Sequence, residues 1–161
     1  MENKPTSIKL QNFTTERGAF YASINLSFQV FGQALHTAPI VLVNHALTGN
    51  SQVIGETGWW NDLIGENKTI DTRKYTILAF NVPGNGFDGY QLENYLDFTA
   101  RDIARIFIDG IKCLRIRQLY AIIGGSIGGG IAWEMAALEP RVTQHLIPIA
   151  TDWKSTDWLI A

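Results

Sequence analysis

The sequence contains a single cysteine, Cys113, and lacks any long uninterrupted apolar run. One cysteine cannot form an internal disulfide, which argues against the disulfide-stapled domains of secreted proteins. Arg, Asp or Lys interrupts every apolar stretch before it reaches the roughly 20 residues that cross a bilayer. The N-terminus also lacks the basic and apolar segments of a secretory leader. We therefore expect a cytoplasmic protein that does not associate with membranes.

A strong charge imbalance is absent as well. The 13 Lys and Arg residues are scattered among 15 Asp and Glu residues and the net charge is −2, so we expect no nucleic-acid partner. Three histidines and one cysteine are too few and too widely spaced for a metal cluster. Apolar residues are abundant, at 46% with five Trp and eight Phe, which is typical of a folded chain. Without repeats or linkers, we expect residues 1–161 to form a single domain.

Alternation and short apolar runs predict the strands of one sheet. Residues Phe20–Phe31 alternate in part and end at a glycine, which predicts a half-buried antiparallel strand with Ser7–Phe13 as its hairpin partner. Four short runs rich in β-branched or aromatic residues predict buried parallel strands: Ile40–Asn44, Tyr75–Phe80, Leu119–Ile123 and His145–Ile149. In the last of these, Pro148 removes a backbone donor and indicates a strand end or sheet edge.

Two helices are predicted between these strands. Thr99 can cap the first, with Asp102 three residues later, and apolar residues recur at helical spacing as far as Arg115. The second begins just after Ser126 and stops near Pro140. Strands that alternate with helices indicate an α/β fold with a mostly parallel sheet and right-handed crossovers.

The stretch IGGSIGGG, residues Ile123–Gly130, lies where a predicted buried strand meets the second helix. A flexible linker does not belong between two core elements, and a phosphate-binding loop requires a lysine or a glycine spacing that is absent here. The stretch does match the nucleophile elbow G-x-S-x-G, with Gly124 and Gly128 flanking Ser126. Such a turn is strained and crowded, which explains the glycines. The alternative is that the glycines only permit close packing and Ser126 is a helix cap.

A nucleophilic serine also requires amides that stabilise the oxyanion of the tetrahedral intermediate. The backbone N–H of Ile127, directly after Ser126, is the first candidate. The loop Asn44–Asn50 follows the apolar strand Ile40–Val43 and is where the second amide is expected, unless it is an ordinary strand exit.

These features together resemble the homoserine O-acetyltransferases of the α/β-hydrolase superfamily. The likeness runs in order from residue 40 to residue 151 and is carried by Val41–Gly55 (VLVNHALTGNSQVIG), Gly58–Gly65 (GWWNDLIG), Ile70–Thr72, Asn81-Val82, Thr99–Asp102, Ile123–Gly129 and Ile149–Thr151. It implies an α/β-hydrolase-type, mostly parallel sheet flanked by helices, truncated after about strand six. The sequence is then similar to the N-terminal portion of the family only, without the C-terminal strands and lid.

The resemblance also implies chemistry. Ser126 would accept an acetyl group from acetyl-CoA and pass it to the hydroxyl of homoserine, a step of methionine biosynthesis, while the amides of Leu47 and Ile127 hold the oxyanion. Acetyl-CoA is a co-substrate in this scheme, and no bound cofactor is expected. Candidate pocket residues are His45, Asn50, Trp59 and Asn85, with Trp60, Phe87 and Tyr90 as further guesses.

One loop departs from the family pattern. Where the relatives carry Gly-Gly-Cys followed by Gly-Ser-Thr-Gly-Pro, this chain has Pro83–Tyr90 (PGNGFDGY). A rewritten loop beside the pocket favours an alternative function, that of a serine esterase or thioesterase in which water resolves the acyl-enzyme.

The acid and base of a catalytic triad are not evident. Members of the fold place them after the serine, in the order Ser, Asp or Glu, His, whereas the histidines here are His36, His45 and His145. We expect His36 in a surface turn and His145 packed or solvated at a strand start. His45 is expected beside the oxyanion loop, where it lines the pocket; the alternative of a general base has no precedent at that place in the fold. Asp152 is expected to cap a following helix. A catalytically silent fragment is therefore a third possibility. The apolar segment from Thr156 to Ala161 and an uncovered sheet edge lead us to expect self-association.

Overall fold

The computed structural model of the chain describes residues 4–154. These residues form eight strands, two α-helices and one short 3-10 helix. The strands are β1 (Thr6–Thr14), β2 (Phe20–Gly32), β3 (Ile40–Asn44), β4 (Ile64–Gly65), β5 (Ile70–Asp71), β6 (Thr76–Phe80), β7 (Leu119–Gly125) and β8 (Thr143–Ile149); the helices are α1 (Ala100–Cys113) and α2 (Ile127–Leu138), and the 3-10 turn is Tyr95–Asp97.

Six strands make the main sheet, in the order β1-β2-β6-β3-β7-β8, and β4 pairs with β5 separately. The hairpin β1-β2 is antiparallel and joins β6 antiparallel, whereas β6, β3, β7 and β8 run parallel to one another. The carboxyl ends of these four parallel strands therefore lie at one edge of the sheet. The loops that follow them meet there, which is the position of ligand sites in such sheets.

Side chains from both faces of the sheet are buried. On β3, Leu42 belongs to the core beneath α1 and α2, together with Phe80 and Phe107. Its neighbours Val41 and Val43 point to the opposite face, which is covered in part by Trp60. Burial on both faces explains why β3, β6 and β7 read as continuous apolar runs.

The predicted α/β organisation is confirmed. Both halves of the hairpin, the four parallel strands and the two helices form where the sequence places them, within one or two residues at most ends. Thr99 caps α1 with the expected capping box: its side chain accepts from the Asp102 amide, and the Asp102 carboxylate accepts from the Thr99 amide at 3.1 Å. In the described part of the chain β8 is an edge strand, as Pro148 indicated.

The sequence did not predict the small β4-β5 sheet or the 3-10 turn, since segments of two or three residues carry no periodicity. The expectations for residues 156–161, and for a helix following Asp152, lie outside the described residues. Within residues 4–154, no helix is both long enough and apolar enough to span a bilayer.

Candidate active site

Ser126 occupies a strained turn between β7 and α2. Its backbone angles are φ 54° and ψ −124°, in a region that side-chain-bearing residues rarely adopt. A Cβ atom at Gly124 would lie 2.3 Å from the carbonyl oxygen of Gly128. A Cβ atom at Gly128 would lie 2.5 Å from the carbonyl oxygen of Asn44 and 2.6 Å from that of His45. Both flanking glycines are therefore required by contact, as expected of a nucleophile elbow.

The backbone of Ser126, not its side chain, holds the turn together. Its N–H donates to the carbonyl oxygen of Ile149 at 3.0 Å, and its own carbonyl oxygen accepts from Gly129 at 3.0 Å and Gly130 at 3.1 Å. The side chain makes no capping hydrogen bond to α2. Ser126 therefore occupies the N-cap position of α2, but its side chain does not cap the helix. The residue is exposed at the N-terminus of α2, where the helix dipole favours negative charge.

The two residues whose amides are predicted to hold the oxyanion line the same cavity. Leu47 and Ile127 both line a space of about 450 Å³ between the loops that follow β3 and β6 and the start of α1. Ser126 lines an adjoining cleft of about 520 Å³, and Ile127 borders both. Neither the Leu47 nor the Ile127 amide donates a hydrogen bond to another residue of the described chain. Both N–H groups are thus available to a ligand.

His45 is buried and uses both ring nitrogens. Its Nε2 accepts from the Val82 amide at 3.0 Å, so the proton of the neutral ring is on Nδ1, which donates to the Ala46 carbonyl oxygen at 2.7 Å. Burial lowers the pKa of the imidazole, and the bond to Ala46 opposes that shift. His45 is therefore neutral and has no free nitrogen to accept a proton from Ser126.

The other candidate acid and base groups lie elsewhere. His36 is exposed in a turn with φ 68°, as predicted. His145 is exposed on β8 and packs edge-on against Tyr120, with ring centroids 4.9 Å apart. The Asp152 carboxylate accepts from the Trp153 amide at 2.7 Å. Within residues 4–154, which include all three histidines, none of them is hydrogen-bonded to Ser126.

The predicted pocket residues divide between two spaces. His45, Asn50 and Trp59 line a small cavity of about 100 Å³, together with Trp60. Asn85 lines the 450 Å³ cavity instead, and His45 borders both. Of the three further candidates, Trp60 lines the small cavity, whereas Phe87 and Tyr90 line neither space.

Known proteins are similar to this chain in sequence and fold. The profile described as alpha/beta hydrolase fold matches residues 39–158. The chain belongs to this family. Among α/β-hydrolase sequences, it is 35% identical to the homoserine O-acetyltransferase of Moorella thermoacetica over 91% of its length. It is 36% identical to that of Symbiobacterium thermophilum over 83% of its length. The predicted resemblance to the homoserine O-acetyltransferases is confirmed.

Solved α/β-hydrolase structures agree. The homoserine O-acetyltransferases from Bacillus anthracis and Staphylococcus aureus superpose with TM-scores of 0.86 and 0.83, at 25% and 29% identity, and each match covers 98% of this chain. The L374D mutant of esterase E22, at 23% identity and a TM-score of 0.84, shares the fold. The chain spans 44% of the Moorella relative, 40% of the Symbiobacterium relative and 49% of each of these three structures.

A buried polar network, which sequence reasoning missed, supports the loop after β3 of this hydrolase sheet. The Asn81 side chain accepts from the Ser51 amide at 2.7 Å and donates to the Ser27 hydroxyl at 2.7 Å. The Ser51 hydroxyl donates to Gln29 at 2.5 Å. In the sequence, this network was visible only as two polar residues, Ser27 and Gln29, within the segment predicted as β2; the structure shows that both are buried. Within residues 4–154, no three His, Cys, Asp or Glu side chains are grouped as metal ligands.

Proposed function

We propose that this chain supplies the nucleophile and the oxyanion-binding amides of an acyltransferase of the homoserine O-acetyltransferase type. The observation that carries the proposal is the backbone conformation of Ser126, with φ 54° and ψ −124°. The glycines on either side, Gly124 and Gly128, have no room for a Cβ atom. Backbone strain of this kind costs about 1–3 kcal/mol and is found mostly at functional sites, which supports a function for the exposed hydroxyl.

In the proposed reaction the Ser126 oxygen attacks the thioester carbonyl of acetyl-CoA while a base removes its proton. The resulting oxyanion accepts hydrogen bonds from the amides of Leu47 and Ile127, which have no other partner in the described chain. Collapse of this intermediate breaks the C–S bond, and CoA leaves as the thiol after taking up the proton. The homoserine hydroxyl then attacks acetyl-Ser126, which gives O-acetylhomoserine and regenerates the serine.

None of the three histidines, all of which lie within residues 4–154, is placed to remove the Ser126 proton, so we propose that the base for both steps lies outside this sequence. His45 is occupied by Ala46 and Val82, His36 lies in an exposed turn, and His145 packs on Tyr120. The related proteins are more than twice as long as the segment matched here. We therefore propose that residues 1–161 are one incomplete domain, and that the remaining strands and lid carry the acid and base. Because acetyl-CoA and homoserine are intracellular metabolites, we place the reaction in the cytoplasm.

A serine esterase or thioesterase is the second candidate. The loop Pro83–Tyr90 that departs from the family pattern contributes Pro83, Gly84 and Asn85 to the cavity shared by Leu47 and Ile127. A change in this wall alters what can bind beside the acyl-enzyme. If no acceptor binds there, water resolves the acyl-enzyme and the protein is a hydrolase.

The first test is acylation of Ser126, measured by intact and peptide mass spectrometry after incubation with p-nitrophenyl acetate or acetyl-CoA. Imidazole is added as an external base, since no histidine of the chain is bonded to the serine. We expect one acetyl group, located on Ser126 and absent from Ser126→Ala. Ser7→Ala, which changes an exposed serine on β1, is the matched control and should label like the unmodified chain. Labelling that persists in Ser126→Ala, or no labelling at all, would leave only the catalytically silent fragment.

The second test separates transferase from hydrolase. Acetyl-labelled protein is isolated and mixed with homoserine, and the products are separated by chromatography. Formation of O-acetylhomoserine supports the transferase. Release of acetate alone, at a rate that homoserine does not change, would assign the chain to the hydrolases.

A further inference from the structure

The carbonyl oxygen of Ala46 is held by two donors. The Nδ1–H group of His45 approaches it at 2.7 Å, and the Gly49 amide at 2.9 Å. Gly49 is close to the imidazole side chain, since a Cβ atom at this glycine would lie 3.0 Å from the His45 Cβ. The loop after β3 is thus folded tightly around one histidine.

This carbonyl belongs to the same peptide unit as the Leu47 N–H. The unit is planar and trans, so its C=O and N–H bonds point in opposite directions. Fixing the Ala46 oxygen toward His45 therefore fixes the Leu47 N–H away from it. Leu47 lines the 450 Å³ cavity, and its amide is unpaired among the described residues. The direction of this amide therefore depends on the bonds that the His45 side chain and the Gly49 amide make to the Ala46 carbonyl oxygen.

The second nitrogen of His45 fixes which tautomer is present. The Val82 amide can only donate, so Nε2 must accept, and this leaves the single proton of the neutral ring on Nδ1. Val82 follows β6, whereas Ala46 follows β3. His45 therefore links two loops that line the cavity, and its Nδ1–H group is one of the two donors to the Ala46 carbonyl oxygen.

We propose that His45 is a positioning residue, which aims the Leu47 amide at the oxyanion through its bond to the Ala46 carbonyl and neither transfers a proton nor binds substrate. The inference rests on the proposed function, because it concerns an amide whose role that function defines. It gives the histidine of the HALTG stretch a positioning role in addition to its place in the cavity wall, in contrast to a role as a base.

Three variants separate the two bonds of the imidazole. His45→Asn places an amide N–H near the position of Nδ1 and keeps the donor to Ala46. His45→Gln places a side-chain oxygen near the position of Nε2 and keeps the acceptor for Val82. His45→Phe keeps neither. Each is assayed for the rate of Ser126 labelling by a fluorophosphonate, whose phosphoryl oxygen becomes the oxyanion, with imidazole as external base.

Loss of one oxyanion donor costs about 100- to 1,000-fold in other hydrolases, and misdirection of that donor is expected to cost at least about tenfold. We therefore expect His45→Gln and His45→Phe to label at least about tenfold more slowly, while His45→Asn retains most of the original rate. In ¹⁵N-labelled protein, the Leu47 amide resonance should move in the Gln and Phe variants and stay near its original position in the Asn variant. If His45 contributed only to stability, the labelling rates of the variants would not follow this order. Urea unfolding of the same variants measures their stability separately.

The inference is overturned if His45→Asn labels as slowly as His45→Phe, or if His45→Gln labels at the original rate. Failure of the proposed function gives a different result, since the unmodified chain then does not label Ser126 at all and the inference falls with it. If His45→Phe does not fold, the comparison of Asn with Gln still decides.

Discussion

Gly128 and Asn44 are in direct backbone contact. A Cβ atom at Gly128 would lie 2.5 Å from the Asn44 carbonyl oxygen, and the Asn44 side chain donates to the Gly128 carbonyl oxygen at 3.2 Å. The end of β3 is thereby joined to the first turn of α2. The same contact brings the loop that carries Leu47 next to the turn that carries Ser126, so the proposed nucleophile and the proposed oxyanion amides depend on it.

Substitution of Gly128 by alanine should break this junction. The added methyl group cannot be accommodated without a shift of backbone, and we expect Gly128→Ala to lower the free energy of unfolding by about 1–3 kcal/mol or more. Gly130→Ala is the matched control on the same helix, because its Cβ would lie 3.9 Å from the nearest heavy atom. It should raise stability by about 0.5–1 kcal/mol, as alanine does in helices. Urea unfolding measures both, and equal midpoints would contradict the contact.

The strain at Ser126 should be measurable as stability. Ser126→Gly permits the positive φ without a side chain, whereas Ser126→Ala removes the hydroxyl and keeps the Cβ atom. We expect the glycine variant to exceed the alanine variant in unfolding free energy by about 1–2 kcal/mol, the usual scale of such backbone strain. Thermal and urea unfolding give this difference. A glycine variant less stable than the alanine variant would show that the turn is relaxed.

The buried imidazole of His45 should make stability depend on pH. Burial lowers its pKa in the folded chain, so the unfolded chain binds the proton first as the pH falls below about 6.5, the ordinary histidine value. The stability of the folded state is therefore fully present above that pH and is lost as the pH falls toward the lowered pKa. Urea unfolding at a series of pH values should show this loss in the unmodified chain and a smaller one in His45→Asn. Parallel curves for the two proteins would exclude it.

Asp102 should contribute strongly to stability. Its buried carboxylate accepts from the Glu16 amide at 3.0 Å, the Thr99 amide at 3.1 Å and the Arg105 side chain at 3.1 Å. Asp102→Ala leaves these donors without their partner, and we expect a loss of about 2–4 kcal/mol. Asp109 on the same helix is the control, because burial raises the pKa of its carboxyl group and attraction to Lys112 only partly opposes this. Asp109→Asn should leave stability at neutral pH unchanged or slightly higher in the same urea assay.

The edge strand β8 should promote self-association. In the described part of the chain it pairs only with β7, and Ile147 and Ile149 are about 40% exposed. Exposed apolar edges pair with other chains, and a lysine blocks such pairing. Size-exclusion chromatography with light scattering should show oligomers that diminish in Ile147→Lys. Phe20→Lys, at an exposed position at the start of β2, should not reduce them, and a monomer at every concentration of the unmodified chain would refute the prediction.

Several features could be read from residue patterns alone. Continuous apolar runs such as Leu119–Ile123 predicted buried strands, because strands covered on both faces have no polar side. The pair Thr99 and Asp102 predicted the start of α1, because a capping box is a local contact three residues apart. Gly124 and Gly128 predicted the strained turn at Ser126, because the elbow pattern is also local and spans only five residues.

Other features were decided only by the tertiary structure. The sequence left His45 open as a pocket wall or a base, because its role depends on Val82, 37 residues away. The network of Asn81, Ser51 and Ser27 likewise joins residues from three segments of the chain. Local patterns determine backbone preference and burial within one element, whereas the pairing of polar groups depends on which strand ends the sheet order brings together. That order places β3 between β6 and β7, and with it the loop after β3 beside the elbow.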